Sequence, residues 1–563
     1  METTSTILSP VMVWKDFNSS LPLKESVTGD ETFDNVIYSD VYFSGRETAD
    51  GRVRVYGVYA KSTNMAKKSR KAGILILPDA DKTVDLELVD LYVKQGYAVL
   101  MIDYRGEWEK TENYTRYPSS ISYANYNKAK DLMDQVETTA KETCWYEWVA
   151  VAKYAVSFLK SRHELESIGV IGIKEGASIG WALAGTDTRI DCFIPLFGAG
   201  WRAYKGVSKY SGNELEMNDD RLRYLAGVDA HAYAQYVRCP VFYMTTTNSR
   251  RFDCDRGVDT MCRIKDDVPA YLNFAPNFSD SLDANCKLIV DLFLAKFLLG
   301  FRLEMPFEPK VSVQVENKKV TAEVDIDFSD IMRPKALSVY LAEDGPYPAY
   351  REWRTMRLVK SKIEDKKFFV SELFGNSTFI NCFCVVEYKS GITVSSKIVF
   401  KKIPKINARQ ANLVYSSRDK TNGFAVYSME KYALGGVFFD GENPVESLIG
   451  SNDISGVCSK YGLVTYRINP RMVNLSERSL IMFDVNVKEF TSLSVSVLAG
   501  KEEDVKEYSF VVDLHPGDIW QNVIIKCSDF KSVERRGIKD YSEILALKID
   551  SDSKCIVNNV VVL

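Results

Sequence analysis

Continuous apolar runs alternate with helix-like segments through residues 71–300 of the chain. Residues 73–77 and 98–102 are apolar throughout, and residues 84–94 between them have helical spacing that ends before Gly96. Strands that are apolar on both faces and joined by a helix are typical of a parallel sheet covered by helices. This part of the chain therefore predicts α/β architecture.

The same alternation recurs after a β-patterned start. Residues 36–43 and 53–59 alternate polar and apolar side chains, which favours antiparallel strands. Helical and strand-like apolar segments then follow one another at 145–159, 168–172, 177–183, 192–197, 241–244 and 288–299. We expect residues 1–302 to form an α/β domain with a mostly parallel sheet flanked by helices.

Beyond Gly300 the helical spacing fades and short β-patterned segments replace it. They lie at 311–315, 320–326, 337–341, 368–370, 382–388 and 392–400, and then at 480–485, 493–497 and 508–512. We predict an immunoglobulin-like β-sandwich over 303–403, a linker at 401–405, and a second all-β domain over 404–563.

Charge and composition exclude several classes of protein. The 563 residues carry 72 basic and 76 acidic side chains, a net charge of −4, whereas a dedicated nucleic-acid binder shows a basic domain or stripe. We find no apolar run of about 18 residues, so we expect no membrane partner. The first residues lack a basic segment followed by an apolar one, so we expect no secretory signal.

The cysteines favour a reducing compartment. The 11 cysteines are scattered, include no C-x-x-C pair, and come closest at Cys382 and Cys384, which have the spacing of a strand. We expect reduced thiols, a cytoplasmic location, and neither a metal nor another cofactor.

Four segments between residues 103 and 282 carry the chemistry of the chain. In chain order they read D-Y-R-G at 103–106, I-G-V-I-G-I-K-E-G-A at 168–177, M-T-T-T-N-S at 244–249 and P-N-F-S-D-S-L at 276–282. Together they resemble the α/β-hydrolase fold, in its bacterial esterase and acyl-hydrolase (acetyl xylan esterase-like) branch. The resemblance covers about residues 35–300.

The resemblance implies a catalytic triad that this chain has lost. The G-x-S-x-G elbow of the fold is matched by residues 172–176, where Lys174 stands in place of the nucleophilic serine. The T-N-D acid loop is matched by 247–249 with Ser249 in the acid position, and the N-x-H loop by 278–280 with Asp280 in the histidine position.

The three histidines do not replace the missing base. His163 precedes the elbow strand, His231 precedes the strand at 241–244, and His515 belongs to the last domain. We expect none of them at the carboxyl edge of the sheet, where sites form in open α/β folds, and interpret all three as surface or packing residues.

Further residues near the elbow have structural and functional interpretations. Ser178 fits a second G-x-S-x-G but would lie one turn into a helix, so it is the weaker nucleophile candidate. Asp79 occupies the loop that supplies an oxyanion donor in this fold, where a carboxylate opposes a developing negative charge. We expect a Lys174–Asp280 ion pair to relieve the cost of a buried lysine.

The elbow and the aromatic segment 108–127 supply candidate binding residues. Asp79 and Glu175 are the polar candidates, and Tyr114 and Tyr117 offer flat apolar faces with polar edges that suit sugar or aromatic acyl ligands. The alternative interpretation of this segment is packing against the following helix.

The end of the chain resembles the terminal strands of jelly-roll carbohydrate-binding modules. The resemblance rests on about 50 residues, with D-I-W at 518–520, S-D-F at 528–530 and D-Y-S-E-I at 540–544. It implies a jelly-roll domain, which also serves as a structural spacer in other proteins. We interpret Trp520 as a core residue and name Tyr432, Phe439 and Tyr461 as possible sugar contacts.

These observations leave three functional hypotheses. The favoured one is a pseudoenzyme related to carbohydrate or acyl esterases that binds a small-molecule or carbohydrate ligand, or another partner, without Ser-His-Asp catalysis. The second is an active esterase or deacetylase with an atypical site around Lys174, Ser178 or Ser249. The third is a carbohydrate-binding scaffold that acts through its last domain.

Overall fold

A computed structural model describes residues 6–65, 70–108, 111–359, 366–374, 377–404, 412–441, 443–501 and 504–563. The predicted linker at 401–405 ends on a residue outside these ranges, and residues 1–5 also lie outside them.

A mixed sheet forms the centre of the α/β region. In the described chain it has nine strands in the order β1-β2-β3-β5-β4-β6-β7-β8-β9. The strands are β1 (Ser26–Phe33), β2 (Val36–Thr48), β3 (Gly51–Ser62), β4 (Ala72–Leu77), β5 (Ala98–Asp103), β6 (Ser167–Ile173), β7 (Cys192–Leu196), β8 (Val241–Thr246) and β9 (Ala270–Ala275). Strands β1 to β3 and the β3–β5 pair are antiparallel, and the remaining pairs are parallel. This arrangement fits an α/β-hydrolase-like domain.

Helices cover both faces of the sheet. They are α1 (Pro10–Trp14), α2 (Leu86–Val93), α3 (Tyr126–Ala129), α4 (Cys144–Lys160), α5 (Glu175–Thr186), α6 (Asp219–Gly227), α7 (Ala230–Ala234), α8 (Cys254–Met261) and α9 (Ala284–Phe297). Helices α4 and α5 pack into one core, and α2 and α9 into the other. Because both faces are covered, every residue of β4, β5 and β6 is buried, which explains their continuous apolar sequences.

Two all-β regions follow. The first contains β10 (Lys310–Glu316), β11 (Lys319–Asp325), β12 (Pro334–Glu343), β13 (Arg354–Thr355), β14 (Arg357–Val359), β15 (Lys366–Glu372), β16 (Phe379–Tyr388), β17 (Thr393–Ser395) and β18 (Val399–Lys402). Among described residues these form a four-stranded and a five-stranded antiparallel sheet around a shared core. The immunoglobulin-like topology stays a prediction.

The second all-β region contains β19 (Leu413–Tyr415), β20 (Glu446–Ile449), β21 (Ser455–Cys458), β22 (Leu463–Thr465), β23 (Leu480–Val487), β24 (Thr491–Lys501), β25 (Asp504–Leu514), β26 (Ile519–Lys526), β27 (Ile544–Ser551) and β28 (Cys555–Val562). In the part of the chain that the structure describes, a six-stranded and a four-stranded sheet enclose one core. The jelly-roll topology likewise stays a prediction.

Both β regions pack against the α/β region. Arg351 of the first β region forms a two-pronged ion pair with Asp255, at 3.0 and 2.7 Å, with both side chains fully buried. The backbone of Leu282 exchanges hydrogen bonds with Val437 and Phe439 of the second β region, at 2.7 and 2.8 Å. The loops after β8 and β9 therefore lie where the three regions meet.

A search of the described residues for a helix long and apolar enough to cross a membrane finds none.

Candidate functional site

Four residues singled out in the sequence follow strands of the central sheet at one edge. Asp79 follows β4, Lys174 follows β6, Ser249 follows β8 and Asp280 follows β9. Because parallel strands end at the same edge, this is where the site of an open α/β fold forms. The elbow (residues 172–176) lies between Asp79 and the later loops.

The backbone at the elbow is strained at Lys174. This residue has φ 54° and ψ −113° and forms the N-cap of α5, a conformation that a non-glycine residue rarely adopts. Neighbouring glycines make the sharp turn possible: a Cβ on Gly176 would lie 2.1 Å from the carbonyl oxygen of Leu77, and one on Gly198 2.2 Å from that of Lys174. The geometry is that of a sharp strand-to-helix turn with a lysine at its tip.

The ammonium of Lys174 is buried between two carboxylates. Its Nζ lies 2.7 Å from Oε1 of Glu430 and 3.5 Å from Oδ2 of Asp79, and the side chain is 5% exposed. Glu430 comes from the second β region, in a short turn of 3₁₀ helix at Glu430–Tyr432. We call this group of three side chains the elbow clamp.

The predicted Lys174–Asp280 ion pair is wrong. Asp280 instead accepts hydrogen bonds from the Ser428 hydroxyl at 2.5 Å and from the Met429 amide at 2.9 Å, and lies 3.4 Å from Arg250. The loop after β9 thus binds the same segment of the second β region that delivers Glu430. Lys174 does not pair with Asp280 because one segment of the second β region, residues 428–430, contacts both side chains.

Little free volume remains beside the clamp. The cavity lined by Asp79, Lys174, Glu430 and the nearby backbone holds about 20 Å³. A cavity of about 10–15 Å³ holds one water molecule, so an acyl substrate does not fit at the tip of the elbow in this state.

A second set of ion pairs continues the clamp towards solvent. Arg251 binds Asp79 through both terminal nitrogens, at 2.8 and 3.0 Å, and also contacts Glu175. Glu175 is buried and forms a further ion pair with Arg202 at 3.0 Å. Burial raises the pKa of Glu175, with Asp79 adding to the rise, while burial of Arg251 is outweighed by the two carboxylates, which raise its pKa. The network neutralises carboxylates that would otherwise be costly to bury.

The two serines near the elbow have structural contacts. Ser249 Oγ accepts hydrogen bonds from the amides of Arg251 and Phe252, at 3.3 and 3.1 Å, so it stabilises the turn after β8. Ser178 lies in the first turn of α5, where its amide bonds to the Lys174 carbonyl at 3.4 Å. Ser178 is therefore displaced from the tip of the elbow.

A cleft of about 470 Å³ opens on the other side of Glu175 and Arg251. Its walls come from the α/β region and from the loop at 347–350 of the first β region. We call it the aromatic cleft because Tyr126, Trp201, Tyr204 and Tyr350 line it, together with Ser178, Ser249 and several cations. Both its volume and its mixed lining are typical of small-molecule sites.

The aromatic segment contributes differently than expected. Tyr126, which the sequence did not single out, lines the cleft, whereas Tyr114 and Tyr117 are not among the lining residues. The Tyr117 hydroxyl donates to the Tyr104 carbonyl at 2.5 Å and its ring packs beside Gly106. No periodicity distinguishes these tyrosines, so the sequence held no signal for which of them lines the cleft.

The histidines lie away from the elbow. His231 is buried, stacks on Trp201 at 4.2 Å between ring centroids, and places Nδ1 3.1 Å from Asp229. It supports a wall of the aromatic cleft from behind. His163 and His515 are exposed. All three histidines lie in the described ranges, and none of their contacts is to Lys174, Ser178 or Ser249.

The second β region brings its candidate aromatic residues together. The Tyr461 ring lies 4.6 Å from Tyr432 and 5.4 Å from Phe439, and Tyr461 and Phe439 line a second cleft of about 520 Å³. Trp520, predicted to be a core residue, is instead half-buried, and its indole nitrogen donates to the Ser451 carbonyl at 3.0 Å. Strand β26 is an edge strand of its sheet, which leaves the ring partly uncovered.

Sequence reasoning missed Glu430, Arg251 and Arg202. Glu430 lies 256 positions from Lys174 and belongs to no motif, so no sequence signal pointed to it. Arg251 follows Ser249 by two positions, and its place in the acid loop could have marked it as a site residue.

The fold of this chain is similar to that of several solved structures. No family model matches the chain, and no curated protein matches it. Among solved structures, an acetyl xylan esterase from Paenibacillus sp. R4 is similar at 17% identity and a TM-score of 0.38, over 49% of this chain and 90% of that one. Acetyl xylan esterase 1 from Thermoanaerobacterium sp. JW/SL YS485 is similar at 15% identity and a TM-score of 0.39, over 54% and 96%.

Proposed function

We propose that this chain is a ligand-binding protein on an α/β-hydrolase-like scaffold that has lost hydrolase catalysis. The observation that carries the proposal is the elbow clamp: the position of the nucleophile is a lysine whose Nζ is 2.7 Å from Glu430 and 3.5 Å from Asp79.

Three features at this edge of the sheet argue against ester hydrolysis. Two carboxylates contact Nζ of Lys174, at 2.7 and 3.5 Å, whereas a nucleophilic lysine needs that nitrogen free to reach its substrate. Asp280 is occupied by the second β region, and no histidine contacts the elbow. Asp79 places a carboxylate, paired with Lys174 and Arg251, in the loop where the fold has an oxyanion donor, so this side chain supplies no donor to a developing negative charge.

The aromatic cleft supports binding as the retained activity. It joins flat aromatic walls to fixed polar groups, and a cleft of about 470 Å³ has the size of a small-molecule site. Glu175 and Arg251 connect the clamp to this cleft, so the charges that block catalysis also shape one wall of the ligand site.

The test measures catalysis and binding on the full chain. We expect no labelling by a fluorophosphonate, no turnover of short acyl esters, and saturable binding of a small ligand that weakens in Tyr126→Ala. The control is Tyr236→Ala, a half-buried tyrosine before β8, at the opposite edge of the sheet. Labelling or turnover that Ser178→Ala abolishes would establish the atypical-esterase hypothesis instead.

A carbohydrate-binding role of the second β region is the second candidate function. The grouping of Tyr432, Tyr461 and Phe439 beside a cleft of about 520 Å³ supports it, since aromatic rings offer flat apolar faces to sugar rings and the two tyrosines add polar hydroxyls. A glycan array tests it: retention should weaken in Tyr461→Ala and stay unchanged in Phe490→Ala, an exposed aromatic residue elsewhere in the region. Retention that is equal in both variants would contradict this role.

A further inference from the structure

We infer that the aromatic cleft binds a small organic anion, a ring compound that carries a carboxylate or phosphate group. This inference rests on the proposed function, because it names the class of ligand for the same cleft. It follows from which charges reach the cleft surface and which stay behind it.

Two arginines of the cleft, Arg250 and Arg251, are more exposed than the carboxylates that pair with them, whereas Arg202 and Arg256, at 22% and 13%, are less exposed than Asp134 and Asp253, at 37% and 21%. The Arg251 side chain is 42% exposed, whereas its partners Asp79 and Glu175 are 2% and 4% exposed. Arg250 is 38% exposed, against 15% for Asp280. At Arg250 and Arg251, a ligand in the cleft therefore meets the guanidinium group before the carboxylate that pairs with it.

The charges of other lining residues also favour an anionic ligand. Lys130 is an exposed lining residue, and among the described residues no carboxylate lies within ion-pair distance of its ammonium. The Asp253 carboxylate is occupied by the amides of Asp255 and Arg256, at 2.8 and 3.2 Å, as the cap of α8. Asp81 is the exception, a half-buried carboxylate on the wall with one oxygen fully covered.

Arginine chemistry fits a second oxyanion. A guanidinium carries five N–H donors, so a group that already binds a protein carboxylate retains donors for a ligand. Arg250 is further fixed by its position over the Tyr427 ring at 4.3 Å, and Arg256 over the Tyr204 ring at 4.2 Å. Such positioned cations beside aromatic walls favour a planar or ring-shaped anion over a bare inorganic ion.

Matched probes test the inference. Binding of glucose, glucuronate and glucose 6-phosphate, and of benzyl alcohol, benzoate and phenyl phosphate, is measured by calorimetry on the full chain. Fluorine NMR of protein labelled with 5-fluorotryptophan, with the Trp201 signal assigned by Trp201→Phe, reports whether a probe occupies the cleft. Comparison of the glucose series with the benzyl series shows whether the cleft prefers a sugar ring or an aromatic ring. Comparison of the two anions within each series shows whether it prefers a carboxylate or a phosphate.

We expect at least one anion to bind about tenfold more tightly than its neutral counterpart and to shift the Trp201 signal. Lys130→Gln and Arg250→Gln should each weaken that anion several-fold and leave the neutral probe unchanged. Arg238→Gln, an exposed arginine before β8, should have no effect. Affinity should also fall as salt rises.

Two results would overturn the inference, and they have different meanings for the proposed function. If neutral probes bind as tightly as their anions and shift Trp201, the ligand is neutral and the cleft stays a binding site. If no probe shifts Trp201 up to about 10 mM, both the anion inference and the proposed cleft fail.

Discussion

The Lys174 ammonium and the Glu430 carboxylate lie 2.7 Å apart although 256 residues separate them in the chain. One is at the tip of the elbow and the other is on a short turn of the second β region. Because the ammonium is buried, this contact both occupies the tip of the elbow and holds one region of the protein against another.

Loss of Glu430 should therefore destabilise the whole chain. Glu430→Ala leaves Lys174 buried with Asp79 at 3.5 Å as its remaining carboxylate, and removal of one partner of a buried pair costs about 3–5 kcal/mol, less here because Glu430 is 32% exposed. Urea unfolding measures the change. Glu489→Ala, an exposed glutamate of the same region, is the control. Lys174→Met combined with Glu430→Gln should recover part of the loss, and equal stability of the single variant and wild type would contradict the clamp.

Placing a serine at the elbow should not confer hydrolysis. Lys174→Ser supplies a hydroxyl at the strained turn but no base, since Asp280 remains bound to Ser428 and Met429. We expect no burst with a p-nitrophenyl ester and no fluorophosphonate labelling. A burst in this variant that is lost in Lys174→Ala would show that a base lies within reach of the elbow.

Gly176 should tolerate no side chain. A Cβ there would lie 2.1 Å from the carbonyl oxygen of Leu77, a rigid backbone atom at the end of β4. Gly176→Ala should cost more than the ~1–3 kcal/mol typical of overpacking and lower the melting temperature by several degrees. Gly537→Ala, whose nearest neighbour is the flexible tip of Lys531 at 3.5 Å, is the matched control and should be close to neutral.

Removing Arg351 should loosen the junction between the α/β region and the first β region. Its guanidinium neutralises Asp255 with both side chains fully buried, so Arg351→Met strands a buried carboxylate at a cost of about 3–5 kcal/mol. Limited proteolysis and urea unfolding should both register the change, while Arg357→Met, an exposed arginine of β14, should not. If the two variants were equally stable, the junction would not depend on this pair.

Asp103 should make stability fall as pH rises from about 4 to 6. Burial raises the pKa of this carboxyl to about 6 from an ordinary value of 3.8, with Arg105 opposing the rise. The folded state therefore keeps the proton that the unfolded state has already lost, and ionisation above pH 6 removes that advantage. Asp103→Asn should flatten this part of the stability profile measured by urea unfolding at pH 4 and pH 6.5. An unchanged slope in the variant would contradict this assignment.

The sequence determined the α/β region through local physics. Strands β4 and β5 are apolar on both faces because helices cover both sides of the sheet. Their burial could therefore be predicted from their continuous apolar sequences. The elbow could also be predicted from its glycine spacing, although only Gly172 is required by contacts within the turn, since Gly176 is required by the backbone of Leu77 in β4.

Only the tertiary structure decided which side chains contact the elbow. We predicted the Lys174–Asp280 ion pair because both loops lie at one edge of the sheet. In the structure Asp280 accepts hydrogen bonds from Ser428 and Met429. Lys174 forms its ion pair with Glu430. Tertiary packing also places Tyr126, and neither Tyr114 nor Tyr117, among the residues that line the cleft. The local hydrophobic pattern of a sequence indicates which face of a helix or strand is buried. The choice between two ion-pair partners depends instead on distances between segments hundreds of residues apart. No periodic feature of a single sequence encodes those distances.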